Sequence, residues 1–325
     1  FLFYNFYYIP KATKLDIPTS IPTFSVYYLY YLKPISVNAF QFGSQEIPAQ
    51  KLGETIENDL KNIKDIGFDG IRISYHFKEN NYISDRITLK AAKQKLYPSA
   101  ILLGHNTKPK TRAFNDQELN EWQDFVREAV KKNKNTIYFW EVWNEPAIDD
   151  FRYGSAKEYL KLLKVSYKII KEENPNAKVV VTLDPVNGEK NNFSEELLSL
   201  GASNYFDILS FHPYAANPYI REDVFNSTTA KAEEISKKIN KPLWISEIGQ
   251  PTSEVSEKTQ AELAEFVLEN SYSKKIPLVW FHYSDQRAYM VGPDNSYGWG
   301  LLDKDGNPKQ IFNTIKNFIK LAKTN

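Results

Sequence analysis

The stretch FWEVWNEP, residues 139–146, decides the fold. Its aromatic and aliphatic residues predict a buried β-strand, which ends abruptly in the polar pair Asn144-Glu145 before a proline. A second apolar run, PLWISE at residues 242–247, likewise ends on an acidic residue, Glu247. Each run therefore places a carboxylate at the C-terminal end of a strand, where an acidic side chain indicates a chemical role.

Eight such apolar runs recur along the chain at intervals of roughly 28–42 residues, as expected of strands joined by crossover helices. Helical periodicity lies between them, for example over Ser155–Glu173, Glu254–Asn270 and Pro308–Lys323. This alternation predicts an α/β fold with parallel strands, and eight units predict a closed (β/α)₈ barrel, the TIM barrel. The candidate strands are Ile35–Phe40, Gly70–Ser74, Ala100–Gly104, Thr136–Trp143, Lys178–Leu183, Phe206–Phe211, Pro242–Ser246 and Pro277–His282.

Residues 33–325 are predicted to form this barrel as a single domain, after a short N-terminal extension. The extension, residues 1–32, is rich in proline and is predicted to form an arm or a β-hairpin, with no function assigned to it. Because barrels of this kind hold their active sites at the C-terminal ends of their strands, polar and aromatic residues there are site candidates. Besides the two glutamates, the candidates are Arg72, His105, Asn144, His212, Tyr214 and Trp280.

Composition excludes several classes of protein. Hydrophobic residues make up 42% of the 325 and charged residues 25%, enough for a folded core. A formal net charge of +1 provides no basic surface for nucleic acid. There is no cysteine, and the four histidines lack metal-ligand spacing, so we expect no metal and no cofactor. No apolar run is long enough for a membrane span, and no feature specifies an oligomeric state.

The first residues of the chain bear on whether the protein is secreted. The chain opens on Phe1 instead of methionine, so we expect a longer precursor. The run FLFYNFYY, residues 1–8, reads either as the end of a leader or as a strand, and it lacks the basic region of a signal peptide. A secreted or extracellular protein is compatible with these features and is the expectation.

Two carboxylates at the ends of separate strands are what hydrolysis of a glycosidic bond requires, one as proton donor and one as nucleophile or base. Each glutamate alone could instead stabilise a helix N-terminus, but the pair, with an amide beside one member, favours catalysis. Arg72 could be a structural ion-pair partner, His105 a solvated loop residue and Trp280 a core residue. The predicted strand ends carry no lysine and no set of metal ligands, which disfavours an aldolase or a metal-dependent hydrolase.

The motifs GIRIS, WNEP, SFHPY, ISEIG and VWF together resemble clan A of the glycoside hydrolases. These are retaining (β/α)₈ enzymes that include family 5 cellulases and mannanases and family 39 enzymes, and the resemblance covers roughly residues 33–323. It implies that Glu145 is the acid/base and Glu247 the nucleophile of a double displacement. The same resemblance implies that Asn144 binds the sugar 2-hydroxyl and that Tyr214 holds the carboxylate of the nucleophile. Arg72 and His212 would support the two glutamates, and Trp280 would be the platform on which the reacting sugar stacks. His105 matches the family 5 pattern only loosely.

The function this resemblance implies is cleavage of β-glycosidic bonds in a polysaccharide or oligosaccharide. The aromatic fraction of 14% suits a carbohydrate site, and an endo-acting β-glucanase or mannanase is the expected type. Two alternatives stay open. A transglycosylase shares the covalent intermediate and differs in whether sugar or water accepts it, and a non-catalytic carbohydrate-binding barrel would keep the aromatic residues alone.

Overall fold

A computed structural model describes most of the chain. The described residues are 23–27, 33–36, 39–42, 45–104, 112–148, 151–183, 192–215, 220–285 and 298–324.

The core of the molecule is a closed barrel of eight parallel strands, which confirms the fold predicted from the sequence. In the described residues, the first barrel strand pairs with both the second and the last, and so closes the ring. Seven barrel strands overlap runs predicted from the sequence, because strands covered on both faces are continuously apolar. The barrel strands are β1 (Phe24–Tyr27), β5 (Gly70–His76), β6 (Tyr97–Leu103), β7 (Phe139–Val142), β8 (Lys178–Thr182), β9 (Ile208–Phe211), β10 (Leu243–Ile248) and β11 (Leu278–Trp280).

The prediction for the first barrel strand is wrong. Ile35–Phe40 does not enter the barrel; it spans parts of β2 (Lys33–Ser36) and β3 (Ala39–Phe42), which form a separate antiparallel sheet with β4 (Gln45–Pro48). The first barrel strand, β1, lies instead inside the segment predicted to be an N-terminal arm, so the boundary between residues 32 and 33 falls after that strand. Residues 1–22 lie outside the described residues, and their role as an arm stays a prediction.

Helices cover the outside of the barrel. Helix α4 begins where the sequence predicts, because Ser155 and Glu158 form a reciprocal capping box at its N-terminus. In the described chain no helix is long and apolar enough to span a bilayer. The α-helices of the described residues are α1 (Ala49–Ile66), α2 (Tyr82–Lys93), α3 (Asp116–Asn133), α4 (Ala156–Glu173), α5 (Phe193–Ser199), α6 (Glu222–Ile239), α7 (Glu257–Ser273) and α8 (Gln310–Ala322).

The barrel interior changes from apolar to polar along the strands. One buried apolar cluster contains Phe139, Val180, Ile208, Trp244 and Val279, one residue from each of five neighbouring strands. Side chains two residues apart on a strand point to the same face, so the next inward positions on four of these strands lie directly above this cluster. Those positions hold Glu141, Thr182, Ser210 and Ser246, all buried and hydrogen-bonded to one another. We call these four residues the polar layer.

Candidate active site

Four barrel strands bring the predicted site residues together. Arg72 lies on β5, Asn144 and Glu145 follow β7, His212 and Tyr214 follow β9, and Glu247 lies on β10. All six are linked by hydrogen bonds or ion pairs. His105 lies outside the described residues, so its assignment stays a prediction.

Glu247 is held by a separate donor on each oxygen. Arg72 Nη1 donates to Oε2 at 3.0 Å, and the Tyr214 hydroxyl donates to Oε1 at 3.4 Å. Burial raises the pKa of the Glu247 carboxyl, while His212, when protonated, and Arg72 act in the opposite direction. Burial and the neighbouring carboxylates Glu247 and Glu145 raise the pKa of Tyr214 well above its usual value. Tyr214 therefore stays protonated and remains a hydrogen-bond donor to Glu247.

Glu145 has a different environment. Its Oε1 lies 2.8 Å from His212 Nδ1, and its Oε2 has a long contact, 3.5 Å, with the side-chain amide of Asn144. The side chain of Glu145 is 14% exposed, whereas that of His212 is 1% exposed. One carboxylate thus faces a buried imidazole, and the other faces a guanidinium and a phenol. Such a difference allows two carboxyl groups to take different roles.

The backbone that carries Glu145 is strained. Trp143 and Glu145 adopt left-handed conformations with φ of 68° and 44°, which cost on the order of 1–3 kcal/mol each for residues other than glycine. The indole of Trp143 offsets this cost, because it donates to the carbonyl of Phe151 at 2.6 Å and its ring lies 4.9 Å from that of Tyr153. Buried packing therefore fixes the turn that directs Glu145 into the site.

The structure adds a third acidic residue that the sequence analysis missed. Glu141, on β7, is 4% exposed and accepts a hydrogen bond from Arg72 Nε at 2.8 Å. Its other oxygen accepts from the hydroxyls of Thr182 and Ser246. Arg72 thereby bridges Glu141 in the polar layer and Glu247 above it. The signal was present as the single acidic residue within FWEVW, an otherwise apolar strand.

The platform role predicted for Trp280 is not supported by its position. Trp280 is 1% exposed and packs in the apolar core shared with the helices, because Val279 before it is the residue that faces the barrel interior. Phe281, two residues after Val279, is instead on the side of the strand that faces the barrel interior, and it is partly exposed. Its ring lies 5.4 Å from that of Trp299, which in turn lies 6.1 Å from that of Tyr214. These three rings form an aromatic wall beside Glu247.

Replacing Trp280 by alanine is expected to lower stability, because it removes a buried indole, at a cost of about 3–5 kcal/mol. The fraction of this variant that is folded should have a KM close to that of the wild type, because the indole does not face the site. Thermal unfolding and Michaelis kinetics measure the two effects, with Phe281→Ala as the matched aromatic truncation on the inward side. Unchanged stability together with a raised KM in Trp280→Ala would restore the platform role.

In the part of the chain that the structure describes, no group of three or more His, Asp or Glu residues is placed to hold a metal ion. The prediction that the activity is independent of metal stays a prediction, which resistance to chelators checks.

Comparison with known proteins assigns the family. The model for "Glycosyl hydrolases family 39" matches residues 70–271, more than half of the chain, and the chain belongs to that family. Its predicted place in clan A of the glycoside hydrolases is therefore confirmed. The match spans all the described site residues except those on and after β11. A comparison with curated protein sequences gives no match.

Solved structures share the fold. A family 39 glycoside hydrolase of Bacteroides cellulosilyticus WH2 superimposes with a TM-score of 0.69 at 20% identity, over 92% of this chain and 63% of that chain. A GH5_18 protein of Streptomyces cattleya in complex with GlcNAc superimposes with a TM-score of 0.62 at 14% identity, over 84% of this chain and 76% of that chain. Xylanase 10B of Thermotoga petrophila RKU-1 in complex with xylobiose superimposes with a TM-score of 0.58 at 17% identity, over 85% of this chain and 98% of that chain. The chain thus spans under two thirds of the family 39 structure.

Proposed function

We propose that the chain hydrolyses β-glycosidic bonds with retention of configuration, with Glu247 as nucleophile and Glu145 as acid/base. The observation that supports this most is the contrast between the two carboxyl environments. Glu247 accepts from Arg72 and Tyr214, which favour an anion, while Glu145 is paired with the imidazole of His212. A double displacement needs this division into one anion and one proton donor.

The proposed reaction has two steps. Glu247 attacks the anomeric carbon while Glu145 protonates the departing oxygen, which leaves with the electron pair of the broken bond. A water molecule then attacks the glycosyl-enzyme, gives a proton to Glu145 and releases Glu247. Retaining enzymes hold the two carboxyl groups about 5–5.5 Å apart, which leaves no room for a water molecule between them.

The aromatic wall suits a sugar substrate. Tyr214, Phe281 and Trp299 are partly exposed, and rings of this kind bind the apolar faces of pyranoses. Gly249 allows the wall to approach β10, because a Cβ at this position would meet the Phe281 carbonyl oxygen at 2.2 Å. Loss of this close approach would move Phe281 away from Glu247.

We extend the proposal to a β-linked polysaccharide or oligosaccharide, with an endo-acting β-glucanase or mannanase as the type. Three of the structural neighbours were solved with disaccharides, Manβ1-4GlcNAc in two of them and xylobiose in the third. An extracellular location is part of this proposal, because polymeric glycans are too large to cross a membrane unaided.

A panel of β-glucans, β-mannans and β-xylans tests the substrate. We expect new reducing ends on at least one polymer, with a ladder of oligosaccharides from the earliest time point, as endo cleavage requires. Release of monosaccharide alone would indicate exo action and reject the endo type. Protein with Glu247→Gln, purified in parallel, controls for contaminating glycosidases. Transfer products without net hydrolysis would favour the transglycosylase alternative.

A further inference from the structure

The polar layer is connected directly to the Glu145 side of the site. Ser246 is fully buried on β10, with its hydroxyl oxygen 3.2 Å from Glu141 Oε1 and 3.0 Å from His212 Nε2. His212 Nδ1, on the opposite edge of the ring, lies 2.8 Å from Glu145 Oε1. A continuous chain of hydrogen bonds therefore runs from Glu141 through Ser246 and His212 to Glu145.

The single proton of the Ser246 hydroxyl determines the direction of this chain. A hydroxyl has one proton to donate and can accept at its lone pairs. Hydrogen bonds to a charged acceptor are about twice as strong as neutral ones, and Glu141 is ion-paired with Arg72. The proton of Ser246 therefore goes to Glu141. It follows that the Ser246 oxygen accepts a hydrogen bond from His212 Nε2–H.

For a neutral His212, this arrangement selects the tautomer that carries its proton on Nε2. A neutral imidazole with its proton on Nε2 presents a lone pair at Nδ1. The 2.8 Å contact between Nδ1 and Glu145 Oε1 is then favourable only if the proton between them belongs to Glu145. In that neutral tautomer Glu145 is the donor in this pair, in the form that an acid catalyst needs.

We propose that Ser246, oriented by Glu141, is a positioning residue that keeps the proton of His212 on Nε2 and so keeps Glu145 in its acid form before bond cleavage. This inference rests on the proposed function, since a retaining glycosidase uses Glu145 first as an acid. After Glu145 gives its proton to the leaving oxygen, its carboxylate faces the lone pair of Nδ1. The proton of the attacking water then restores the starting state.

Four other ionisable groups surround the His212–Glu145 pair, and they come from four different barrel strands. Whether Ser246 contacts these groups decides how a test can be designed. Ser246 contacts only one of them, Glu141, through its hydroxyl. Removal of that hydroxyl therefore leaves these surrounding groups in place. The groups are Arg72 from β5, Glu141 from β7, Tyr214 after β9 and Glu247 from β10.

Ser246→Ala is expected to free His212 to carry its proton on Nδ1, where it would stabilise an anionic Glu145. For an aryl glycoside with a poor leaving group we expect kcat/KM to fall about tenfold or more, with the basic limb of its pH profile displaced to lower pH. The leaving group of a 2,4-dinitrophenyl glycoside departs without a proton, so kcat/KM for this substrate should be unchanged. Ser246→Thr, which keeps the hydroxyl, should restore the wild-type profile.

The matched control is Ser210→Ala, which makes the same change at another serine of the polar layer, on the neighbouring strand. The hydroxyl of Ser210 contacts that of Thr182, and both serines are fully buried. This control should leave the leaving-group dependence and the pH profile as in the wild type. An equal loss on both aryl glycosides in Ser246→Ala, or the same selective loss in Ser210→Ala, would overturn the proposal.

A second measurement does not depend on turnover. The ¹⁵N NMR spectrum of the imidazole nitrogens should show His212 neutral and protonated on Nε2 in the wild type, with this state lost in Ser246→Ala. The chain has four histidines, so a His212→Gln spectrum assigns the signal. A wild-type His212 protonated on Nδ1, or on both nitrogens, would overturn the proposal. If the wild type cleaves no glycoside, the proposed function fails and this spectrum still decides the position of the proton.

Discussion

Glu247→Gln is expected to lower kcat by several orders of magnitude, about 10⁴-fold or more, the scale on which removal of a covalent nucleophile acts. Glutamine preserves the size of the side chain but cannot form the glycosyl ester. Substrate binding should persist, because Arg72 and Tyr214 remain in place. Initial rates on the best substrate of the panel, together with a binding isotherm for the inactive variant, measure the two effects.

Glu254→Gln is the matched control for this substitution. Glu254 follows β10 closely in the chain but is exposed, so the same change there should leave kcat and thermal unfolding as in the wild type. A smaller variant, Glu247→Gly, should regain activity in azide and yield a glycosyl azide of inverted configuration, because azide enters on the face that Glu247 vacates. Near-normal turnover in Glu247→Gln would reject its role as nucleophile.

Glu145→Gln is expected to lower kcat by about 10²–10⁴-fold on substrates with poor leaving groups, the usual contribution of general acid–base catalysis. On a 2,4-dinitrophenyl glycoside the first step should be spared, so the glycosyl-enzyme should accumulate because its hydrolysis lacks a base. Steady-state and pre-steady-state kinetics on the two substrate types separate these steps.

Azide again distinguishes the two carboxyl groups. Glu145→Ala with azide should yield a glycosyl azide of retained configuration, because azide replaces water in the second step. The exposed Glu254→Gln variant serves as the control here too. Equal losses on both substrate types, with no azide product, would contradict the assignment of Glu145 as acid/base.

The barrel could be predicted because its strands are covered on both faces and so stand out as continuous apolar runs. The exception was the first strand. FSVY, residues 24–27, is only four residues long and lies in a proline-rich segment, whereas ISVNAF, residues 35–40, has the stronger local pattern. Local pattern indicates that a segment is extended, but it does not identify the strand it will pair with. The longer pattern was therefore assigned to the barrel although it belongs to the small antiparallel sheet.

The site was predicted well for Arg72, which lies inside β5, and for His212 and Tyr214, which follow β9. Arg72, His212 and Tyr214 all contact one of the two glutamates, as the resemblance to clan A implies. Trp280 was misplaced because a shift of one residue along a strand turns a side chain to the opposite face, and sequence does not fix that register.

Glu141 and Ser246 were missed for a different reason. Each lies inside a strand and not at its end, so neither has the position at the rim that marks a catalytic residue. Their importance comes from contacts between residues 105 positions apart in the chain, which only the closed barrel brings together. A buried acidic residue in an apolar strand is nevertheless a signal that a partner such as Arg72 must lie nearby, because an unpaired charge is too costly to bury.

The most direct test of the central claim is mass spectrometry of the protein after reaction with a 2-deoxy-2-fluoro β-glycoside that carries a dinitrophenyl leaving group and the sugar of the best substrate. Fluorine destabilises the oxocarbenium-like transition states of both steps, while the activated leaving group speeds only the first, so the covalent intermediate accumulates. We expect one sugar per chain, attached in the peptide that contains Glu247, with no label in Glu247→Gln. A label on any other residue, or a substrate that is cleaved with inversion and leaves no label, would contradict the account.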